Sequence, residues 1–282
     1  MKNKTLLLFF VISLCCLSLE TFCQRQISMG IFTGFSIPFT LDKGISFDPR
    51  YQSRKDLKFI PLGLSFEYNV ADAGLFFSPS YTKMGQNFSV INTLGGKVGK
   101  RNIDVDYLLL PIGFKFGMMH NPYFRLSFVW SSSFGYLLKA TETLSHQAST
   151  LNFPLEVIPI LPPDYTIQAD GIASPSISQL PLASKNDFNN FQVFGGLGLK
   201  AEWFQSSNWK ITLDLTGNYG FMETRNEAKI QSMKNYQELY MTYGNRREVF
   251  FSLTLGLSRL KTLKKKNSNP NKTQSFKSKK RK

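Results

Sequence analysis

Beyond position 23 this 282-residue chain has no cysteine: Cys15, Cys16 and Cys23 are the only three. Disulfides and cysteine-based metal sites are thereby excluded from everything that follows the first two dozen residues. Histidine is nearly as scarce, with His120 and His146 alone. Ser145-His146 with Ser149 is the only local echo of serine–histidine chemistry, and it has no acid or oxyanion partner. No catalytic, cofactor-binding or metal-ligating set is read from the chain. After Leu19 no uncharged apolar run approaches the ~20 residues that a membrane-spanning helix needs. Acid is missing from the end: residues 259–282 hold eleven Lys and Arg and no Asp or Glu. The remaining 23 cations against 19 acids leave only +4 of the +15 net charge to the rest.

What is present at the N-terminus is a leader. Lys2 and Lys4 precede an uncharged run from Leu6 to Leu19. Fourteen residues are too few to span a bilayer and suit the apolar segment of a secretory signal. Thr21 and Cys23 stand as small residues before a cut at Gln24, so residues 1–23 are expected to be a cleaved signal peptide. Leu14, Cys15 and Phe22 precede the cysteines where a lipoprotein needs a small residue, which argues against lipidation.

From residue 24 to 258 the dominant signal is alternation. In Ile60 to Val70, the residues Ile60, Leu62, Leu64, Phe66, Tyr68 and Val70 share one parity, and Pro61, Gly63, Ser65, Glu67 and Asn69 share the other. A period of two puts them on opposite faces of a strand. Seven further segments repeat the pattern: 27–37, 75–83, 103–118, 123–138, 191–203, 209–221 and 249–257. The connections alternate in length. Short ones (71–73, 119–122, 204–208) separate long ones (38–59, 85–102, 139–190, 222–248). Short turns on one side and long loops on the other describe an all-β, eight-stranded antiparallel up-and-down transmembrane β-barrel of the bacterial outer membrane. Apolar side chains are expected outward and small or polar ones inward. Both termini fall on the short-turn, periplasmic side. Tyr68, Tyr123, Trp203 and Trp209 beside the short turns, and Tyr81, Tyr136, Tyr219 and Phe221 near the long loops, fit two interfacial girdles. Gly195-Gly196-Leu197-Gly198 sits inside a strand with no helix after it, so it is not a phosphate cradle.

Several strand motifs are specific enough to suggest a family. Tyr107-Leu108-Leu109-Leu110-Pro111-Ile112 resembles the Tyr-Leu-Glu-Ile-Pro-Leu strand of the outer-membrane β-barrel family of Bacteroidetes often called PorT-like. Asn121-Pro122-Tyr123 and Phe134-Gly135-Tyr136 resemble the turn and strand that follow it. Gly195-Gly196-Leu197-Gly198 resembles the sixth strand, and Ser78-Pro79-Ser80-Tyr81 with Gly85 the third. The resemblance covers roughly residues 25–258 and implies an outer-membrane barrel. Leu109 stands where the family usually has glutamate, and the C-terminal tail is additional. Some members belong to the type IX secretion apparatus, though no residue here carries that role over.

Three groups of residues then ask for a function. An eight-stranded barrel is just wide enough inside for side chains to fill it, so inward charges must pair. Glu67, Lys115, Arg125, Lys200, Glu202, Lys210 and Asp214 are expected to form an ion-paired plug, with Glu202 facing Lys210 across their hairpin and Lys200 reaching Asp214 diagonally. The longest loop, 139–190, carries Phe153 and Ile158 among other apolar residues; it either docks a protein or glycan partner or folds over the barrel mouth. Tyr236 and Tyr240, near Arg246 and Arg247, are candidate ligand contacts in loop 222–248. The tail 259–282 reads as a disordered basic segment that suits anionic lipid headgroups or acidic envelope polymers better than nucleic acid, given the compartment. The expected function is an embedded, non-enzymatic platform among outer-membrane lipid and lipopolysaccharide. Its alternative is a narrow transport channel or an accessory barrel of a type IX-like secretion machine.

Overall fold

The computed structural model describes residues 25–206 and 208–263. The expected leader and residues 264–282 of the basic tail lie outside the described residues. The strands in chain order are β1 (Arg25–Asp42), β2 (Tyr51–Arg54), β3 (Lys58–Val70), β4 (Ala73–Phe77), β5 (Ser80–Met84), β6 (Asn87–Ile91), β7 (Lys97–Asn121), β8 (Phe124–His146), β9 (Ser149–Leu151), β10 (Thr166–Gln168), β11 (Gly171–Ser174), β12 (Ile177–Ser184), β13 (Phe191–Phe204), β14 (Trp209–Gly220) and β15 (Arg246–Leu263). Helices α1 (Lys43–Phe47) and α2 (Glu227–Lys234) sit in two of the connections.

Antiparallel pairing runs from β15 through β1, β3, β4, β7, β8, β13 and β14 back to β15. Eight strands therefore form a closed ring. The chain's first and last described strands close it, with Arg25 opposite Leu263 and Asp42 opposite Arg246. Closure leaves no strand of the ring with unpaired backbone along its whole length.

The faces follow from parity. Met29, Ile31 and Phe35 of β1 and Phe251, Leu253, Leu255 and Leu257 of β15 are exposed, while Ser28, Ser36, Ser252 and Ser258 between them are buried. The same inversion of the soluble pattern holds on β8, where Phe128, Trp130 and Phe134 point out and Ser127, Ser131 and Ser133 point in.

The structure departs from the sequence reading in two ways. The third strand, expected over 75–83, is interrupted into β4 and β5 at Ser78-Pro79. Pro79 has no N–H to give the ladder; its carbonyl accepts from Leu64 N (2.9 Å), and Ser78 N donates to Pro111 O (3.0 Å). The segments expected as long loops also carry strands. β1 runs on to Asp42, β7 begins at Lys97, β8 continues to His146, and β15 begins at Arg246 and ends at Leu263, five residues past the expected barrel boundary at 258. These extensions were illegible because their polarity reverses. On the outer halves of β7 and β8, Ile103, Val105, Leu137, Ala140 and Leu144 are buried inside, and Asp104, Lys100 and Lys139 lie outside. β6 pairs onto the β7 extension and β12 onto that of β8, and β2 adds to the free edge of β6, widening one side of the ring into a projecting sheet.

One wall position depends on glycine. Gly63 of β3 lies opposite Phe32 of β1 beside a register shift, and a Cβ there would enter the Phe32 ring. Gly63→Val should lower stability by about 1–3 kcal/mol through overpacking, seen as a reduced urea midpoint. An unchanged midpoint would show that Phe32 moves aside freely.

Candidate functional site

The inner face of the ring divides into three layers. Nearest the short turns is a charged layer. Glu67 of β3, Lys115 of β7, Lys200 and Glu202 of β13, and Lys210 and Asp214 of β14 all point inward by parity and meet there. Lys115 Nζ lies 2.8 Å from Glu67 Oε2 and 2.7 Å from Glu202 Oε1. Lys200 Nζ lies 2.6 Å from Glu67 Oε1 and 3.2 Å from Asp214 Oδ2. Lys210 Nζ contacts both Glu67 Oε2 and Glu202 Oε1. Ser28 Oγ also donates to Glu67, at 3.2 Å. Three ammonium groups thus face three carboxylates, and the layer is neutral as a whole.

Two of the expected contacts take another form. The β13–β14 register places Lys200 directly opposite Asp214, and Glu202 opposite Thr212 rather than Lys210. The hairpin is centred one residue later than symmetry about Ser206 implies. The parity is kept, so Lys210 still reaches Glu202 on the diagonal. Arg125 is the exception. It lies opposite Glu202 on β8, yet among the described residues it joins no ion pair. Its Nε donates to His120 Nδ1 at 3.1 Å, and its guanidinium stacks 5.6 Å from the Phe204 ring centre.

The middle layer is apolar. Tyr107, Leu109, Phe194 and Phe250 are all buried, with Phe194 edge-on to Tyr107 and to Phe250 at 6.1 and 5.7 Å between ring centres. Beside it is a cavity of about 90 Å3 lined by Ser131, Ser133, Asn218, Ser252 and Asp214, among others.

The outer layer is a second ion-pair network, which the sequence reading missed. Arg246 Nε is 2.7 Å from Asp42 Oδ2, and Arg246 Nη1 is 2.7 Å from Glu142 Oε2. Arg101 Nε donates to Glu142 Oε1 at 2.7 Å. Arg225 Nη1 is 3.4 Å from Asp42 Oδ2. Burial alone would raise the Glu142 pKa, but Arg101 and Arg246 beside it hold the carboxyl well below the ordinary glutamate value. The available signal was parity: Arg101 is in step with Ile103 and Val105, and Glu142 with Ala140 and Leu144.

The residues expected as outer-loop contacts separate. Phe153 and Ile158 are 8% and 2% exposed, so they are corrected from docking residues to core. They pack with Tyr165 and Ile172 into a small cluster against Tyr240, and the Arg50 guanidinium sits 4.3 Å from the Phe153 ring centre. Tyr240 is half-buried, edge-on to Tyr165, and Tyr236 is exposed. His146 is buried beside the same cluster, its Nε2 3.3 Å from Tyr165 Oη. His120 lies at the other end of the ring. Among the described residues no cluster of three His, Cys, Asp or Glu is placed to hold a metal.

No family model and no curated protein matches the chain. Solved structures do show likeness. The attachment invasion locus protein Ail of Yersinia pestis is 12% identical with a TM-score of 0.36, covering 83% of this chain and 98% of that one. The outer membrane protein OprG of Pseudomonas aeruginosa is 11% identical at 0.33, covering 86% and 97%. The outer membrane protease OmpT of Escherichia coli is 9% identical at 0.34, covering 87% and 100%. At these identities and scores the likeness says nothing of activity.

Removing Glu142 leaves two buried guanidinium groups short of a partner. Glu142→Gln should cost about 3–5 kcal/mol. Because its pKa is depressed on folding, the carboxylate's contribution is complete above about pH 4.3 and is lost as pH falls toward the folded value. Urea midpoints measured between about pH 6 and pH 3 should fall on acidification in the native protein and fall less steeply in Glu142→Gln. Equal slopes would remove Glu142 from the acid response.

Proposed function

We propose that this chain is an integral outer-membrane β-barrel protein of eight transmembrane strands. It serves as a binding platform that presents its long-loop face to the exterior and keeps both ends of the barrel chain in the periplasm. The observation that carries this is the exposed apolar belt. Every strand of the ring turns large apolar side chains outward, among them Ile31, Leu64, Leu75, Phe114, Trp130, Leu197, Leu215 and Leu255. A water-soluble monomer rarely exposes a contiguous apolar patch above a few hundred Å2, whereas a belt around a closed ring is what acyl chains cover. Rings at both rims support the same placement: Tyr68, Tyr123, Trp203 and Trp209 at the short turns, and Tyr136, Tyr219 and Phe221 at the other end, are all exposed. The PorT-like strand motifs agree with this reading and rest on sequence resemblance alone.

The platform reading is preferred to a channel because of the filled interior. Two ion-pair networks and an apolar layer stand in series along the ring axis. A conducting path would have to break buried pairs, leaving charges uncompensated at several kcal/mol each. No residue set argues for catalysis, and we read the protein as non-enzymatic. The rival reading, a narrow channel or a subunit of a type IX-like secretion machine, requires that the interior open or that a stoichiometric complex form.

Two measurements test this. Leu255→Arg, at the middle of the β15 belt, should cost about 2–4 kcal/mol in a bilayer, whereas folding that is indifferent to that charge would mean the face meets water. The purified protein in planar bilayers should show no large, stable conductance. Lys115→Ala combined with Lys210→Ala should still show no large conductance, because the apolar layer and the outer network remain in series with the emptied layer. A native protein that conducts steadily would make the channel reading the better one.

A further inference from the structure

A cleft of about 760 Å3 opens on the outward face of the projecting sheet, where β6, β7, β8 and β12 meet. Its rim carries Arg54, Lys97 and Lys100. Its walls carry Asn87, Asn102 and His146, with serine hydroxyls between them, and no Asp or Glu lines it. Lys97 and Lys100 are exposed and, among the described residues, join no ion pair. Arg54 pairs with Asp56 at 3.2 Å while remaining mostly exposed. A concave site with two free lysines, amide donors and hydroxyls, and an acid only at the Arg54 edge of its rim, suits an anionic, hydroxyl-rich ligand.

The height of the cleft narrows the source. Lys100 lies on the same strand face as Leu108, which is exposed at the rim of the apolar belt beside Tyr136. Eight residues at about 3.3 Å each, on a strand tilted by about 40°, put the cleft roughly 20 Å above that rim. The steps between are also charged. Lys58 pairs with Asp104 at 3.0 Å, and Lys83 and Lys139 flank Asp106 from the two neighbouring strands. Three lysines and two aspartates therefore climb one side of the ring from the rim of the belt to the cleft, leaving that strip net positive. A glycolipid standing in the outer leaflet beside that side presents its headgroup phosphates to the lower lysines and its first acidic, phosphorylated sugars to the cleft.

We infer that this cleft binds the phosphorylated core sugars of lipopolysaccharide from the surrounding outer leaflet. The inference rests on the membrane-embedded reading above. Its test uses the full chain folded in detergent, titrated with purified rough lipopolysaccharide, with the same lipopolysaccharide after enzymatic dephosphorylation, and with dextran sulfate as a soluble polyanion. Lys97→Gln with Lys100→Gln should weaken binding to the intact glycolipid about fivefold to tenfold, in the range partly exposed ion pairs supply. Dephosphorylation should erase most of the difference between variant and native protein. Lys234→Gln, on α2 and away from the cleft, should bind as the native protein does.

Equal affinity of the double variant and the native protein for intact lipopolysaccharide overturns the proposal. So does a loss confined to dextran sulfate, which would make the cleft a site for a free polyanion. Both lysines are exposed, so the variants should keep the native urea midpoint; should the pair misfold, Arg54→Gln repeats the comparison alone. Failure of the membrane reading looks different: the native chain would stay folded in water without detergent, whatever it binds.

Discussion

The inside of this ring has little room to solvate a charge, and that constraint orders much of what surrounds it. Most of its inward charges find their partners in protein. Glu67 does so by accepting from three lysines on three other strands, Lys115 of β7, Lys200 of β13 and Lys210 of β14. These contacts tie β3 to β7, β13 and β14 across the ring, where backbone pairing links only neighbours. The network therefore fixes the cross-section as well as filling it. Replacing it with apolar residues of equal volume is not obviously costly; its distinctive property is that it tolerates only one relative placement of those strands.

Above the charged layer the logic of the wall changes while the wall itself continues. Up to about Leu108 the outward side chains are apolar; beyond it they are Asp106, Asp104, Asn102 and Lys100. The inward ones change the other way, from Lys115 and Gly113 to Tyr107, Val105 and Ile103. The same two strands, β7 and β8, thus behave as an inverted sheet below and as an ordinary soluble sheet above. The outer part has a conventional core, into which Met84, Phe88, Leu137, Ala140 and Phe188 pack, and it is there that the buried arginines and the cluster around Phe153 and Tyr165 are held.

This reversal explains what the sequence made legible. Strand identity and facing in the belt were readable because outward apolar residues alternate with positions held mostly by small or polar ones. The lower charged layer was readable for the same reason: a Lys or Glu on the small-residue parity has only the interior to enter. The outer extensions were not readable as strands, since a search for outward apolar residues stops where polarity flips. Arg101, Glu142 and Arg246 consequently seemed to belong to loops. The break at Pro79 was also concealed, because Leu75, Phe77 and Tyr81 keep the alternation on both sides of it. Phe153 and Ile158 illustrate a further gap. Their apolarity was evident, but whether a loop buries such residues or offers them depends on partners, here Tyr165, Ile172 and Tyr240, that are distant or irregularly spaced.

The pairing of Arg25 with Leu263 has a consequence in time. Strand β1 can find one of its two neighbours in the ring only after β15 has been made, more than two hundred residues later. Until then both edges stand open, and a chain with this many greasy strands is prone to stick to its own kind. Closure of the ring must therefore wait for β15, and until then the open edges of the strands already made have to be kept from pairing with other chains.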